Sequence, residues 1–228
     1  MEWTIRQVAA MIDHTNLHPY ATESDFIKLC SEAKEYGFCS VAVNPFPVSL
    51  CRKLLESSRV LTGAAIAFPL GQLTIAGKLE EVRAAILDGC QEFDYVLNVG
   101  KLKEHDYSYI EAEMSAMKDA ARKAGICCKV IFETCYLTDD EITAAAQIAS
   151  NVEPDFIKTS TGFGPAGAAP KHVALMKRYA GPTVKVKAAC GIRTWSEARA
   201  MLEAGASRLG TSSGIRIIEE MKVAGCAQ

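Results

Sequence analysis

An α/β fold, a single (β/α)8 barrel with a short N-terminal helix and one domain over residues 1–228, is what this sequence predicts. Three observations carry the prediction. Short apolar runs alternate with amphipathic segments from one end to the other, with no Pro/Ser linker, low-complexity tract or charge block between them. The runs number eight, which points to closure. An open doubly wound sheet would carry a Gly-rich nucleotide fingerprint after its first strand, and none stands there. Finally, 228 residues suit a barrel as one unit.

The eight strands are expected at 11–15 (MIDHT), 39–44 (CSVAVN), 61–68 (LTGAAIAF), 92–99 (EFDYVLNV), 129–134 (KVIFET), 155–160 (DFIKTS), 183–188 (TVKVKA) and 207–212 (SRLGTS). Helices are expected at 22–37, 77–89, 110–125 and 138–150, where apolar positions recur at helical spacing. Capping boxes mark helix starts at Thr22 with Asp25, Thr138 with Glu141 and Thr194 with Glu197. Gly37, Gly125 and Gly205 stand where helices should stop in a left-handed residue. Such alternation makes the sheet parallel, because each crossover must return over one of its faces.

In a barrel of this kind the chemistry lies at the C-terminal ends of the strands. Two lysines end strands there, Lys158 on the sixth and Lys187 on the seventh. A lysine is a costly way to finish a buried strand, and two side by side cannot both stay charged cheaply. A free lysine titrates near 10.4, so fewer than about one in a thousand is an amine at neutral pH. A second ammonium about 5 Å away contributes roughly 3 kcal/mol at an effective dielectric of about 20, or about two pKa units. Desolvation supplies the rest. One lysine should therefore be a nucleophilic amine able to form Schiff bases with carbonyl compounds, with neither metal nor cofactor required. Lys185 competes with Lys187, since an ideal strand points both the same way; Lys187 lies nearer the strand's C-terminal end.

Schiff-base chemistry needs a proton shuttle, and Asp94 is the candidate, a carboxylate inside an apolar run with Val96 and Asn98 on its own face. Asp13 is a second inward carboxylate, expected to hold a lysine or a substrate hydroxyl. Three Gly-rich loops, GFGPAG (162–167), CGIRT (190–194) and GTSSG (210–214), look built for an anion; barrels commonly bind phosphate after strands seven and eight.

Bulk properties exclude other classes. A net charge of −2 is no nucleic-acid surface. Nine scattered cysteines without a CxxC pair argue against disulfide staples or a zinc knuckle and for a reducing cytoplasm. No signal peptide is apparent, and no apolar stretch is long enough to span a bilayer. His14, His18, His105 and His172 lack HxH or HExxH spacing, so a zinc-dependent aldolase fits poorly. His14 is expected to be a packed or hydrogen-bonded residue, and Lys101 and Lys103 to be solvated.

The motifs IDHTNLHPYAT, AVNPFPV, AFPLGQ, EFDYVLNVGKLK, KVIFET, IKTSTGF, VKAACGIRT and AGASRLGTSSG, in this order, resemble the deoxyribose-phosphate aldolase family, class I enzymes of the TIM-barrel fold, over nearly the whole chain. The resemblance implies Lys158 as the imine-forming lysine, Lys187 as the partner that lowers its pKa, and Asp94 as the proton-relay acid. It implies substrate binding by Asp13, Thr15, Thr161, Gly162, Gly191, Ser212 and Ser213, with Gly162, Gly191, Ser212 and Ser213 at the phosphate. It further implies small aldehyde and sugar-phosphate partners and a homodimer. Three departures bear on substrate preference. Cys190 replaces the first glycine of a Gly-Gly pair and is expected to crowd the phosphate loop, Ala42 precedes the Val-Asn-Pro segment, and the chain stops at VAGCAQ without a terminal tyrosine. A non-phosphorylated acceptor, a proton-abstracting sugar-phosphate isomerase and a non-catalytic phosphosugar sensor stay open as alternatives.

Overall fold

A computed structural model describes residues 3–227. Its eight strands are β1 (Ile12–Asn16), β2 (Ser40–Val43), β3 (Leu61–Ile66), β4 (Glu92–Val96), β5 (Cys127–Ile131), β6 (Phe156–Lys158), β7 (Lys185–Ala189) and β8 (Arg208–Thr211). All are parallel, each pairs with the next, and β8 pairs with β1, so the sheet closes. The helices are α1 (Ile5–Ala9), α2 (Glu23–Tyr36), α3 (Val48–Leu54), α4 (Ile75–Leu87), α5 (Val99–Lys103), α6 (Tyr107–Ala124), α7 (Asp139–Val152), α8 (Pro170–Tyr179), α9 (Trp195–Glu203) and α10 (Gly214–Val223). Every expected strand is present. The expected fourth strand ran too far, however. Asn98 leaves the ladder and caps α5, its Oδ1 accepting from Lys101 N–H at 3.1 Å, so it does not share a strand face with Asp94.

Local signals set the helix ends. At Thr22, Thr138 and Thr194 the backbone N–H donates to the side chain of Asp25, Glu141 and Glu197 at 2.8, 2.7 and 3.0 Å. Gly37 and Gly125 close α2 and α6 at φ 67° and 68°, where a Cβ would be strained.

Strand alternation sorts the core into two parts. Ile12, Val41, Ile66, Phe93, Val130, Ile157, Val186 and Leu209 point outward and pack with the helices into one apolar layer. The opposite parity holds Asp13, Glu92, Asp94, Lys129, Lys158, Lys187 and Arg208, whose charged groups pair with one another inside the barrel. The barrel's interior is ionic where such barrels are ordinarily filled by branched apolar residues.

Candidate active site

β4, β5, β6 and β7 are neighbours, and their register sets Asp94 beside Lys129 and Lys158 beside Lys187. Lys158 and Lys187 both converge on Asp94 Oδ2, with Nζ at 2.7 and 2.6 Å. Lys129 takes the other oxygen, Oδ1, at 2.8 Å. Gly210 on β8 makes room, since a Cβ there would lie 3.1 Å from Lys187 Cε and 2.9 Å from the Ala189 Cβ.

Beneath these contacts six charges close a ring. Lys129 bridges Asp94 and Glu92, at 2.8 Å to each. Arg208 bridges Glu92 and Asp13, at 2.5 and 2.6 Å. Lys187 Nζ, 2.5 Å from Asp13 Oδ2, returns to Asp94. Three carboxylates and three cations alternate and cancel. Lys158 is the seventh charge, attached to Asp94 alone, and has no counter-charge of its own. A buried surplus cation is relieved most simply by losing its proton. Burial, joined by the Lys187 and Lys129 cations, brings Lys158 down to about 8 against the pull of Asp94. Burial would raise the Asp94 carboxyl, but Lys129, Lys158 and Lys187 together hold it well below the ordinary range. Asp13 is lowered likewise, its burial outweighed by Lys187 and Arg208.

Lys158 opens into a cavity of about 440 Å3 on the C-terminal rim. Thr15, Thr161, Gly162, Gly191 and Ser212 line it. The ring of Phe68 stands 5.4 Å from Lys158 Nζ. Asp13 lies under Lys187, fully buried with both oxygens on cations, so it holds a lysine and does not face the cavity. Ser213 is not in the cavity lining; it caps α10 and its N–H donates to Thr211 Oγ1 at 2.8 Å. Cys190 does line the cavity, in a left-handed conformation at φ 72°. Its Cβ and Sγ lie 3.9 Å from the point a Cβ on Gly162 would occupy, and burial pushes its thiol up. Among the described residues no group of three or more His, Cys, Asp or Glu is arranged to hold a metal ion.

Residues 7–220 match the description DeoC/LacD family aldolase. The chain belongs to this family. It is 52% identical over 222 residues to a deoxyribose-phosphate aldolase of Lactobacillus acidophilus, covering 97% of this chain and 94% of the relative. It is 49% identical to one from Thermococcus gammatolerans, over 93% of this chain and 95% of that one. A solved structure of the Aeropyrum pernix deoxyribose phosphate aldolase, described as tetrameric, superposes with a TM-score of 0.90 at 31% identity, covering 97% of this chain and 93% of that one. The family's members act on small molecules. Among the described residues no helix is long and apolar enough to cross a membrane.

Sequence reasoning missed Lys129, Glu92 and Arg208. The signal was available, because each is a charge of inward parity on a strand that reads as buried, as for Lys158. Lys185 is exposed at the opposite end of β7, its ammonium 5.6 Å from the Phe156 ring centroid, while Lys187 is in the network. His14 points outward, its Nε2 2.8 Å from Glu32 Oε2. Lys101 and Lys103 are partly exposed but paired, with Glu104 and Glu141 respectively. Arg193, also not singled out, lines the cavity and adds a cation to its rim.

Proposed function

We propose that this protein is a class I aldolase that reversibly cleaves 2-deoxy-D-ribose 5-phosphate to D-glyceraldehyde 3-phosphate and acetaldehyde. The carrying observation is the charge count: the buried ring balances without Lys158, which alone is left to become an amine, and Lys158 is the member that opens into the cavity. Lys158 Nζ attacks the C1 aldehyde of the open-chain sugar, and the carbinolamine loses water to give an iminium ion. A base removes the C3 hydroxyl proton, the C2–C3 bond breaks, and its electron pair moves through C2 toward the iminium nitrogen as an enamine. Glyceraldehyde 3-phosphate leaves with its new carbonyl at the former C3. Protonation at C2 and addition of water then release acetaldehyde and restore the amine. Asp94, 2.7 Å from Lys158 Nζ and 2.6 Å from Lys187 Nζ, is placed to shuttle these protons, with Lys187 as its partner. Gly162, Gly191 and Ser212 offer backbone amides to the phosphate, supported by Arg193; Thr15 offers a hydroxyl to the sugar, while the Thr161 hydroxyl, beside the cavity, is engaged by Glu133 and Phe163.

A second reading, an aldolase for a non-phosphorylated acceptor, is favoured by Cys190, whose side chain stands between the glycine loops where a phosphate would approach. Acetaldehyde release from deoxyribose 5-phosphate and from unphosphorylated deoxyribose, compared side by side, tests both. Incubation with deoxyribose 5-phosphate should release acetaldehyde, and borohydride with acetaldehyde should leave a two-carbon label on Lys158. A label on Lys187 or Lys185 alone would overturn the assignment, and conversion of the sugar phosphate with neither label nor acetaldehyde would indicate proton abstraction. We expect a cytoplasmic homodimer; light scattering decides between this and the tetramer of the Aeropyrum pernix relative.

A further inference from the structure

Glu133 combines two costs in one residue. Its side chain is buried, 3% exposed, and among the described residues no cation stands within ion-pair distance of it. Its backbone is left-handed, at φ 57° and ψ 61°, where glycine or asparagine would sit more easily. A buried unpaired carboxylate and a strained backbone persist together only where the surroundings hold them, and such outliers gather at functional sites.

The Glu133 carboxylate is held chiefly by one loop residue, with the Cys135 thiol also against it. Thr161 N–H donates to Oε1 at 3.1 Å, and Thr161 Oγ1 donates to Oε2 in a short bond. The same hydroxyl accepts from Phe163 N–H at 3.0 Å. Gly164 lies flat on this arrangement, since a Cβ there would be 3.5 Å from Glu133 Cδ and 2.6 Å from Cys135 Sγ. The segment 161–164 is thus laid onto Glu133 as it leaves Lys158, and Gly162, at φ 100°, is bracketed by bonds on both sides. Two donors arriving from one residue need a group with two acceptor atoms; a carboxylate has them, and an amide has one acceptor and one donor.

We propose that Glu133 is a positioning residue that sets the preference of this site for a phosphorylated substrate, by fixing the main chain of Gly162 where it meets the anion. This rests on the aldolase reading above. Glu133 acts through Thr161 and touches no substrate atom.

The test compares wild type, Glu133→Gln, Thr161→Val and the double variant on deoxyribose 5-phosphate and on unphosphorylated deoxyribose. Glu133→Gln should raise KM for the phosphorylated sugar about 10-fold, as the loss of one charged hydrogen bond implies, while kcat changes less than about 3-fold. KM for deoxyribose should move less than about 2-fold, and borohydride trapping of acetaldehyde should proceed at the wild-type rate, which also certifies a folded site. The double variant should be no worse than the poorer single, because both cut the same link. Equal KM changes for the two sugars, or additive losses in the double variant, would overturn the role of Glu133. Should Glu133→Gln not fold, Thr161→Val decides by the same two-sugar comparison. A wild-type protein that neither cleaves the phosphorylated sugar nor traps acetaldehyde would instead sink the aldolase reading.

Discussion

At the scale of single residues, the separation of Lys185 from Lys187 shows what position along a strand does. Both share a parity, yet one is exposed at the entrance of β7 and the other sits between Asp13 and Asp94. Removing the Lys187 cation takes away one of the charges that hold Lys158 down, so the Lys158 pKa should rise from about 8. Lys187→Leu should therefore shift the pH–rate profile alkaline and cost roughly two decades of rate at pH 7, since two pKa units correspond to about 2.7 kcal/mol. Lys185→Leu should leave the profile in place; a larger effect from Lys185 would reverse the assignment. Cys190 is a second case. Glycine at φ 72° relieves backbone strain and withdraws a side chain from the cavity. Cys190→Gly should lower KM for deoxyribose 5-phosphate by a few-fold and leave KM for deoxyribose nearly unchanged, as steady-state kinetics on the two sugars will show. The lysines and Asp94 were legible because a charge at the end of an apolar run needs a reason. Lys129 offered the same sign in CCKVIF, but its partner, Asp94, is opposite only once β4 and β5 are in register.

At the scale of elements, the strand that carries Asp94 is pinned from outside the barrel. Lys78 of α4 donates to Val96 O at 2.6 Å and to Glu113 Oε1 of α6 at 2.7 Å. Glu113 Oε2 accepts from Asn98 N–H at 3.0 Å, so two helices and the end of β4 meet in one fully buried pair. Burial lowers Lys78 and raises Glu113; their mutual attraction opposes this, helped by Glu81 at Lys78 and by the Asn98 N–H at Glu113. Lys78→Met should leave Glu113 buried without a counter-charge and cost about 3–5 kcal/mol. The measure is the urea midpoint at constant slope, and Lys78→Met with Glu113→Leu should recover most of the loss. A single variant within about 1 kcal/mol of wild type would mean the pair contributes little. Neither residue is singled out by the sequence. Helical spacing identifies an apolar face, but it does not say that a charged residue beside that face meets its partner from another helix.

For the whole molecule, the ionic interior ties stability to pH with a defined sign. Asp13 and Asp94 titrate lower in the fold than the roughly 3.9 of a free aspartate. Their contribution is complete above the free value and is lost as pH falls below about 4 toward the folded values. Lys158 works oppositely. With a folded value of about 8, against about 10.4 for a free lysine, the unfolded chain binds more protons between the two, so stability from this group rises over that window. Urea midpoints from pH 3 to 10 should fall steeply on the acid side for wild type and Lys158→Met alike. The alkaline rise attributable to Lys158 should disappear in Lys158→Met. An acid limb no steeper than that of an ordinary surface carboxylate would show that the ring adds nothing to the folding equilibrium.

What the sequence determined by itself is whatever follows from neighbours along the chain. Periodicity set eight strands and the main helices, three capping boxes and two C-terminal glycines set helix ends, and two lysines with one aspartate marked the cluster proposed to react. Only the tertiary structure decided the charge balance. Asp13, Glu92, Asp94, Lys129, Lys187 and Arg208 come from five strands as far apart as β1 and β8, and their ring exists only when the sheet closes. The physical reason is that a pKa belongs to an environment and not to a residue. Local sequence can say that a lysine is buried, but which lysine is left without a counter-charge depends on every charge that the closed barrel brings within a few ångströms.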